Sequence, residues 1–291
     1  ALRHGVRPRR AGTVCRMDDV DLAAALAAAP PGTPSAADAL AALYDRYADR
    51  LFAYATSVTR DRDLAGDVLH DSLLVAHARI AQLRDPLRLK AWLFAITRNE
   101  CLRQLRARNR FTDSEEAIEM ADTTVDLDAG LRQQDAAALI DEAMGALNPG
   151  DRDAVALALR HDLEPAEIAR AMGVAPNLAH ARISRAKGQL ERAIGAVMLA
   201  RTRGRACPEL AAILAGETSL TPLLRKRVAR HAEDCDACDR TRTGAIAALA
   251  PAMALPAVLV APPALRDLLV GEVSTTAGGN GTVQQVAERA G

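Results

Sequence analysis

Apolar residues recur at three- and four-residue steps along the first part of this chain. Leu40, Leu43, Tyr44, Tyr47, Leu51, Tyr54 and Val58 form one series, the spacing of a helix that buries one face. Asp61 and Asp63 open a second helix whose stripe is Leu69, Leu73, Ala76 and Ile80. Pro86 begins a third, with Leu89, Trp92, Leu93 and Ile96, then Leu102 and Leu105. After a polar break the spacing returns over 164–190. Glu164-Pro165 starts a helix with proline at the tolerated first position, and Ile168 and Met172 face inward. Ala169 is small, where two crossing helices approach closely. Gly173 stands where a turn calls for positive φ, and Val174 plugs the corner. Pro176 opens the next helix, with Ala179 and Ile183 as its buried positions. The pattern predicts an all-α protein.

Composition agrees. Aromatics are 2% against a hydrophobic share of 49%, much of it Ala, whereas sandwiches and barrels fill their strands with β-branched and aromatic residues. The aromatics all lie between Tyr44 and Phe111, so that segment has a chemistry of its own. A length of 291 residues allows about two domains at roughly 100–200 residues each. Five Cys are too few and too unevenly placed for a disulfide scaffold. The N-terminus has Arg residues but no apolar core of the signal-peptide type, and a cytoplasmic location is expected. Met17 precedes the first helix-like stretch, so residues 1–16 read as a tail or upstream sequence. Pro30, Pro31 and Pro34 end any helix there. Residues 1–36 are expected to be disordered apart from a short helix over 18–29.

The net charge of zero hides a strong segregation. Eight basic residues between Arg84 and Arg110 face only Asp85 and Glu100. Ten acids between Phe111 and Glu142 then face Arg132 alone, with little apolar periodicity, the pattern of an acidic linker. From Arg160 to Arg205, nine basic residues face four acidic ones. Two basic helical segments thus flank an acidic tether. Residues 164–190 form a helix-turn-helix whose second helix turns Asn177, His180, Arg182, Ser184, Arg185 and Lys187 outward. An apolar back with hydrogen-bond donors in front is what a recognition helix needs for base edges and phosphates.

These blocks, in this order, resemble the sigma factors of bacterial RNA polymerase, specifically the extracytoplasmic-function group. LYDRYADRLFAYA looks like the opening helix of the family's region-two domain, and DLAGDVLHDSLLVAHARI like the helix that docks on the polymerase clamp. LKAWLFAITRNECLRQLRARNR is similar to the promoter-melting helix, W-L-x-x-I-A-R-N-x-x-x-D-x-L-R-R-x-R. ALNPGDRDAVALALRHDLEPAEIARAMGVAPNLAHARISRAKGQL resembles region four, which the family uses on the −35 element. The resemblance implies region two at 37–110, an acidic linker at 111–138 and region four at 139–195. It implies core RNA polymerase and promoter DNA, at the −10 and −35 elements, as partners, and allows an anti-sigma factor as another. Asp67, Val68, His70 and Asp71 are then the polymerase contacts. Strand capture falls to Trp92, Arg98, Asn99, Arg103, Arg106 and Arg108, because aromatic rings and Arg planes stack on unpaired bases while basic side chains hold phosphates. Trp92 also suits the apolar stripe of its helix. Arg103 stands where the family motif carries Asp, and the recognition helix keeps only Arg182 and an apolar Ile183 of its usual series. No catalytic constellation is apparent, and the chain is read as a binding protein rather than an enzyme.

Beyond the helix-turn-helix, Cys207 is followed by His231, Cys235 and Cys238. The H-x3-C-x2-C run places an imidazole and thiolates to chelate one ion, and Cys207 supplies a distant fourth ligand. Such a donor set suits tetrahedral zinc. Residues 205–242 also resemble the zinc-binding domain of anti-sigma factors, which suggests self-regulation. Between Arg242 and Arg266 no residue is charged, but four prolines interrupt the stretch. Residues 243–291 are therefore read as an apolar, flexible arm that does not enter a membrane. The alternatives are a conventional helix-turn-helix regulator and a zinc-binding anti-sigma-like interaction protein.

Overall fold

The computed structural model describes residues 17–30, 32–111, 125–126, 136–202, 205, 207–254 and 259–275. The expected disorder of residues 1–16 and 276–291, and most of the acidic linker, lie outside the described residues.

The first bundle holds four helices: α1 (Asp19–Ala28), α2 (Pro34–Thr59), α3 (Arg62–Arg79) and α4 (Leu89–Phe111). Their starts follow local chemistry. The Asp18 carboxylate accepts from the Asp21 amide, Thr33 caps α2 with Pro34 at its first position, and Asp61 accepts from the Asp63 and Leu64 amides. Arg60 closes α2 in the left-handed region, at φ 56°, and its N–H returns to the Thr56 carbonyl. The stripe predicted for α2 is buried from Leu40 to Tyr54 and meets Leu69, Leu73, Leu89, Leu93 and Phe94. The short helix foreseen within the N-terminal segment is present as α1. It buries Leu22 and Leu26 in the same core, so the part of 1–36 that is described is ordered by packing.

The second bundle contains α5 (Ala136–Met144), α6 (Pro149–Val155), α7 (Pro165–Met172) and α8 (Pro176–Arg201). Between α6 and α7 the helix widens over Ala156–Arg160, where the His161 amide bonds back five residues to the Ala156 carbonyl. The turn between α7 and α8 runs through Gly173 at φ 66°, as its spacing predicted. The back of this helix-turn-helix does not stand alone. Leu157, Leu163, Ile168, Met172 and Ile183 join the core of the first bundle. Two blocks that read as separate domains on a tether therefore share one apolar interior.

The C-terminal part of α8 is the spine of a third cluster. Ala196, Val197, Leu199 and Ala200 pack with Leu210 of α9 (Pro208–Ile213) and with Leu224 and Val228 of α10 (Pro222–Asp234). Helix α11 (Asp236–Ala254) runs back along α8. A two-residue ladder pairs Val125 with Leu220 and Asp126 with Ser219, tying the acidic segment to this cluster. The expected flexible arm differs most. Helix α11 extends to Ala254, and α12 (Pro263–Thr275) packs on α2 and α3, with Leu269 and Val273 buried in the first core. Apolar residues that looked unpartnered in the sequence have found a surface. Among the described residues, no helix is long and apolar enough to cross a membrane.

Candidate nucleic-acid interface and metal cluster

Helix α4 was expected to present a row of cations. It does so only in part, because acids from other elements have claimed them. Arg98 Nε lies 2.5 Å from Asp153 Oδ2 of α6, and both side chains are largely buried. Tyr54 donates its hydroxyl to the other oxygen of Asp153. Three rings close over this pair. Phe94 and His161 stand 4.6 Å apart between centroids, and Tyr54 meets each ring edge-on. His161 is 2% exposed. Burial, joined by the charges of Arg50, Arg160 and Lys90, pushes its pKa down to about 3, so it stays neutral.

Arg103 donates from Nε to both oxygens of Glu100 at 2.8 and 2.9 Å, and from Nη2 to Asp71 of α3 at 3.0 Å. Glu100 is buried, which raises its pKa against the pull of Arg103. The Arg that replaces the family's Asp is thus the counter-ion of a buried acid, not a free phosphate contact. Arg108 reaches Asp61 at 2.7 Å. Trp92 is half-buried against the first core, the apolar-stripe role left open for it. Asn99 and Arg106 are exposed.

The front of α8 is different. Asn177, His180, Arg185 and Lys187 are exposed, while Ala179 and Ile183 are buried behind them. Only Arg182 turns inward, 3.5 Å from Asp151 of α6. Helix α7 is set by a reciprocal cap in which the Glu164 amide donates to Glu167 at 2.8 Å.

Of the four residues expected to meet polymerase on α3, Asp67 is exposed. His70 lies 3.5 Å from Asp71 Oδ1 and 3.2 Å from Glu272 of α12. Val68 requires a correction. It is 0% exposed, held in the core with Leu69 and Leu73, because the helix turns that position toward α2 and α4.

Cys207, His231, Cys235 and Cys238 come together as the spacing predicted. Their ligand atoms all lie within 4.8 Å of one another. Cys207 Sγ is 3.3 Å from His231 Nε2 and 4.0 Å from Cys235 Sγ, and Cys238 Sγ is 3.4 Å from His231 Nε2. Four ligands at about 2.0–2.3 Å from one tetrahedral ion stand roughly 3.3–3.8 Å apart; the two thiol–imidazole distances match that spacing, and the wider thiol pair at 4.0 Å needs only a small closure to hold a single metal ion. Glu209 approaches the other ring nitrogen of His231 at 3.7 Å. The Cys235 thiol, which accepts backbone amides of Cys238 and Ala237 at the start of α11, is held below its ordinary value.

Sequence reasoning missed Asp153 and His161, the residues that close on α4. Their only signal was their position in a charged and a polar run, which does not say what they face.

Comparison with known proteins joins these features. The Sigma-70 region 2 family model matches residues 43–111, and the Sigma-70, region 4 model matches residues 137–190. The ECF RNA polymerase sigma factor SigM of Mycobacterium tuberculosis, from strains Erdman and H37Rv, is 29% identical over 155 residues. The match spans 53% of this chain and 76% of the relative. Among solved structures, the co-crystal structure of the sigma factor RpoE with the anti-sigma factor NepR from Bartonella quintana is similar at 28% identity. It covers 50% of this chain and 89% of that one, with a TM-score of 0.40. Region 2 and region 4 of the sigma-70 family thus match in that order on one polypeptide, and the relatives similar to it are extracytoplasmic-function sigma factors.

Proposed function

We propose that the chain binds core RNA polymerase through its first bundle and directs promoter recognition and transcription initiation. The single observation that carries this is the pairing of the two sigma regions, one holding the basic α4 and the other an exposed recognition helix. The front of α8 suits a duplex major groove, where exposed donors read base edges and phosphates. Helix α4 suits an opened strand once Arg98 is released from Asp153, with Asn99 and Arg106 already at the surface. The bond-making chemistry belongs to the polymerase. We further read the four-ligand cluster as a zinc site, on the strength of three thiols and one imidazole at tetrahedral spacing. Cys207, His231, Cys235 and Cys238 would hold the ion, and its role there is to fix α9, α10 and α11 on α8.

Run-off transcription with purified core polymerase tests the reading. Promoter-dependent transcripts should require the chain, and binding to a −10-like single strand should exceed binding to matched duplex and fall steeply with salt. Equal affinity for both DNA forms, with no dependence of transcription on the chain, favours a conventional duplex regulator instead.

A further inference from the structure

A cavity of about 230 Å³ lies where the two bundles meet. Helix α2 supplies one wall, and α5, α6 and the widened turn after α6 supply another. Its cations outnumber its acids: Arg60, Arg152 and Arg160 line it against Asp141 alone. Asp141 is committed to Arg160 at 2.5 Å. Arg152 donates from Nε to the Met144 carbonyl and from Nη2 to the Gly145 and Leu147 carbonyls, at 2.9, 3.1 and 3.1 Å. Those bonds hold the end of α5 but bring no negative charge. Among the described residues, no carboxylate pairs with Arg152 or with Arg60. The strain registers on Arg152, where burial, joined by the Arg60 charge, pulls the guanidinium down to about 10.

Arg60 adds a second observation. Its backbone is left-handed, at φ 56°, at a helix end where glycine is the usual residue. Such positions cluster at ligand-binding and catalytic sites, and this one sets an exposed cation beside a half-buried one. The α2 wall describes the rest of an occupant. The Thr56 hydroxyl donates to the Phe52 carbonyl at 2.8 Å and the Ser57 hydroxyl to the Tyr54 carbonyl at 2.7 Å. With their hydrogens used inside the helix, both oxygens act in the cavity as acceptors. Met144 and Leu259 add apolar surface. The volume falls below the roughly 300–1,000 Å³ of drug-sized sites, so the occupant is small.

We propose that this cavity binds a small phosphate ester, with the phosphate held by Arg60 and Arg152 and hydroxyl groups of the ligand on Thr56 and Ser57. Guanidinium forks match phosphate oxygens, and ligand sites concentrate at junctions between packed units. Because its walls come from different bundles, a bound ester stabilises their joined arrangement by mass action. The site stands apart from the exposed residues of α4, the front of α8 and the four-ligand cluster.

Calorimetric titration of the full-length chain tests the site, with ribose 5-phosphate, free ribose and an oligonucleotide lacking terminal phosphates as probes. Ribose 5-phosphate is expected to bind at about one per chain, and free ribose about tenfold more weakly or less, because charge-assisted bonds to the phosphate carry the affinity. Arg60→Gly removes the cation and suits the left-handed backbone, so it keeps the fold and should weaken binding by about tenfold. Arg60→Lys retains the charge and should fall between the two. Bound ribose 5-phosphate should also slow amide exchange in both walls, over 53–60 and 152–160. No binding by the wild type, or equal binding by Arg60→Gly, overturns the proposal. So does an oligonucleotide that protects these segments where ribose 5-phosphate does not, which assigns the cations to a nucleic-acid backbone.

Discussion

Two basic helices, α4 and the front of α8, read almost alike in the sequence and are used differently in the fold. On α4, Arg98, Arg103 and Arg108 each meet a carboxylate from another element, Asp153, Asp71 and Asp61, and Arg103 also holds Glu100 of its own helix. On the front of α8, Asn177, His180, Arg185 and Lys187 face outward, while Arg182 beside them approaches Asp151. Charge density along a helix is therefore a poor measure of the charge it offers to DNA. What matters is whether neighbouring elements bring acids of their own. In this form the helix proposed to read duplex DNA is presented, while the helix proposed to capture a single strand is partly neutralised.

The largest expected effect comes from the proposed metal site at the four-ligand cluster, because α8 is anchored there and α4 is not. Apparent binding energies of structural zinc sites are on the order of 10 kcal/mol and appear as folding energy. Cys235→Ser with Cys238→Ser should lose about one zinc per chain by metal analysis. Hydrogen exchange should rise over 207–238 and the C-terminal turns of α8 and stay slow across α2 to α4. Uniform loosening of the whole chain would show that the two helices do not differ in anchorage.

Next is the clasp on α4. Asp153→Asn keeps the shape but strands Arg98 and Tyr54 around a neutral amide. Removing one partner of a buried pair costs about 3 kcal/mol or more, which urea unfolding would measure. The same substitution should raise affinity for a −10-like single strand, since Arg98 is freed. A stable variant with unchanged strand binding would mean that Arg98 is a structural residue only.

The same clasp predicts a pH dependence. His161 has a folded pKa of about 3, below the roughly 6.5 of an unfolded His. The unfolded chain therefore takes up the proton first. The stability that the neutral ring supports is present above about pH 6.5 and is lost as pH falls toward 3. Between pH 6 and pH 5 the loss from this group approaches roughly 1 kcal/mol. Urea midpoints at pH 7, 6 and 5 should drop in the wild type and drop less in His161→Gln.

The smallest effects sharpen the contrast directly. Arg185→Ala and Lys187→Ala should each weaken duplex binding across all sequences and reduce the salt slope by about one. Arg103→Ala should leave DNA affinity nearly unchanged and cost stability instead, by about 1–3 kcal/mol, because buried Glu100 loses its partner. Salt titrations of all three variants against one duplex distinguish phosphate contacts from internal counter-ions.

Helix stripes, caps and the turn at Gly173 were legible in the sequence because each depends on residues within a few positions of one another. The four metal-type ligands were legible for a related reason: Cys and His at chelating spacing are rare enough to stand out. The bundle's Val68 shows the limit. Its neighbours on α3 set a helix but not the rotation of that helix against α2 and α4, and that rotation put Val68 in the core. The tail shows the same limit from the other side. Its prolines and alanines read as a flexible arm, yet Leu265, Leu269 and Val273 form a stripe that becomes a buried face once α2 and α3 provide a groove.

The sequence by itself determined the all-α class, the order of the two sigma regions, the helix-turn-helix and the identity of the metal-type ligands, since these rest on short-range periodicity, capping and ligand chemistry. Only the tertiary structure decided that the two regions share a core through Tyr54, Phe94 and His161, that Arg98 and Arg103 are held by Asp153 and Asp71, and that α12 packs on α2 and α3. Those outcomes depend on contacts between residues 32 to more than 200 positions apart. Burial and electrostatic pairing act through space, and a local pattern carries no record of which distant surface will be near.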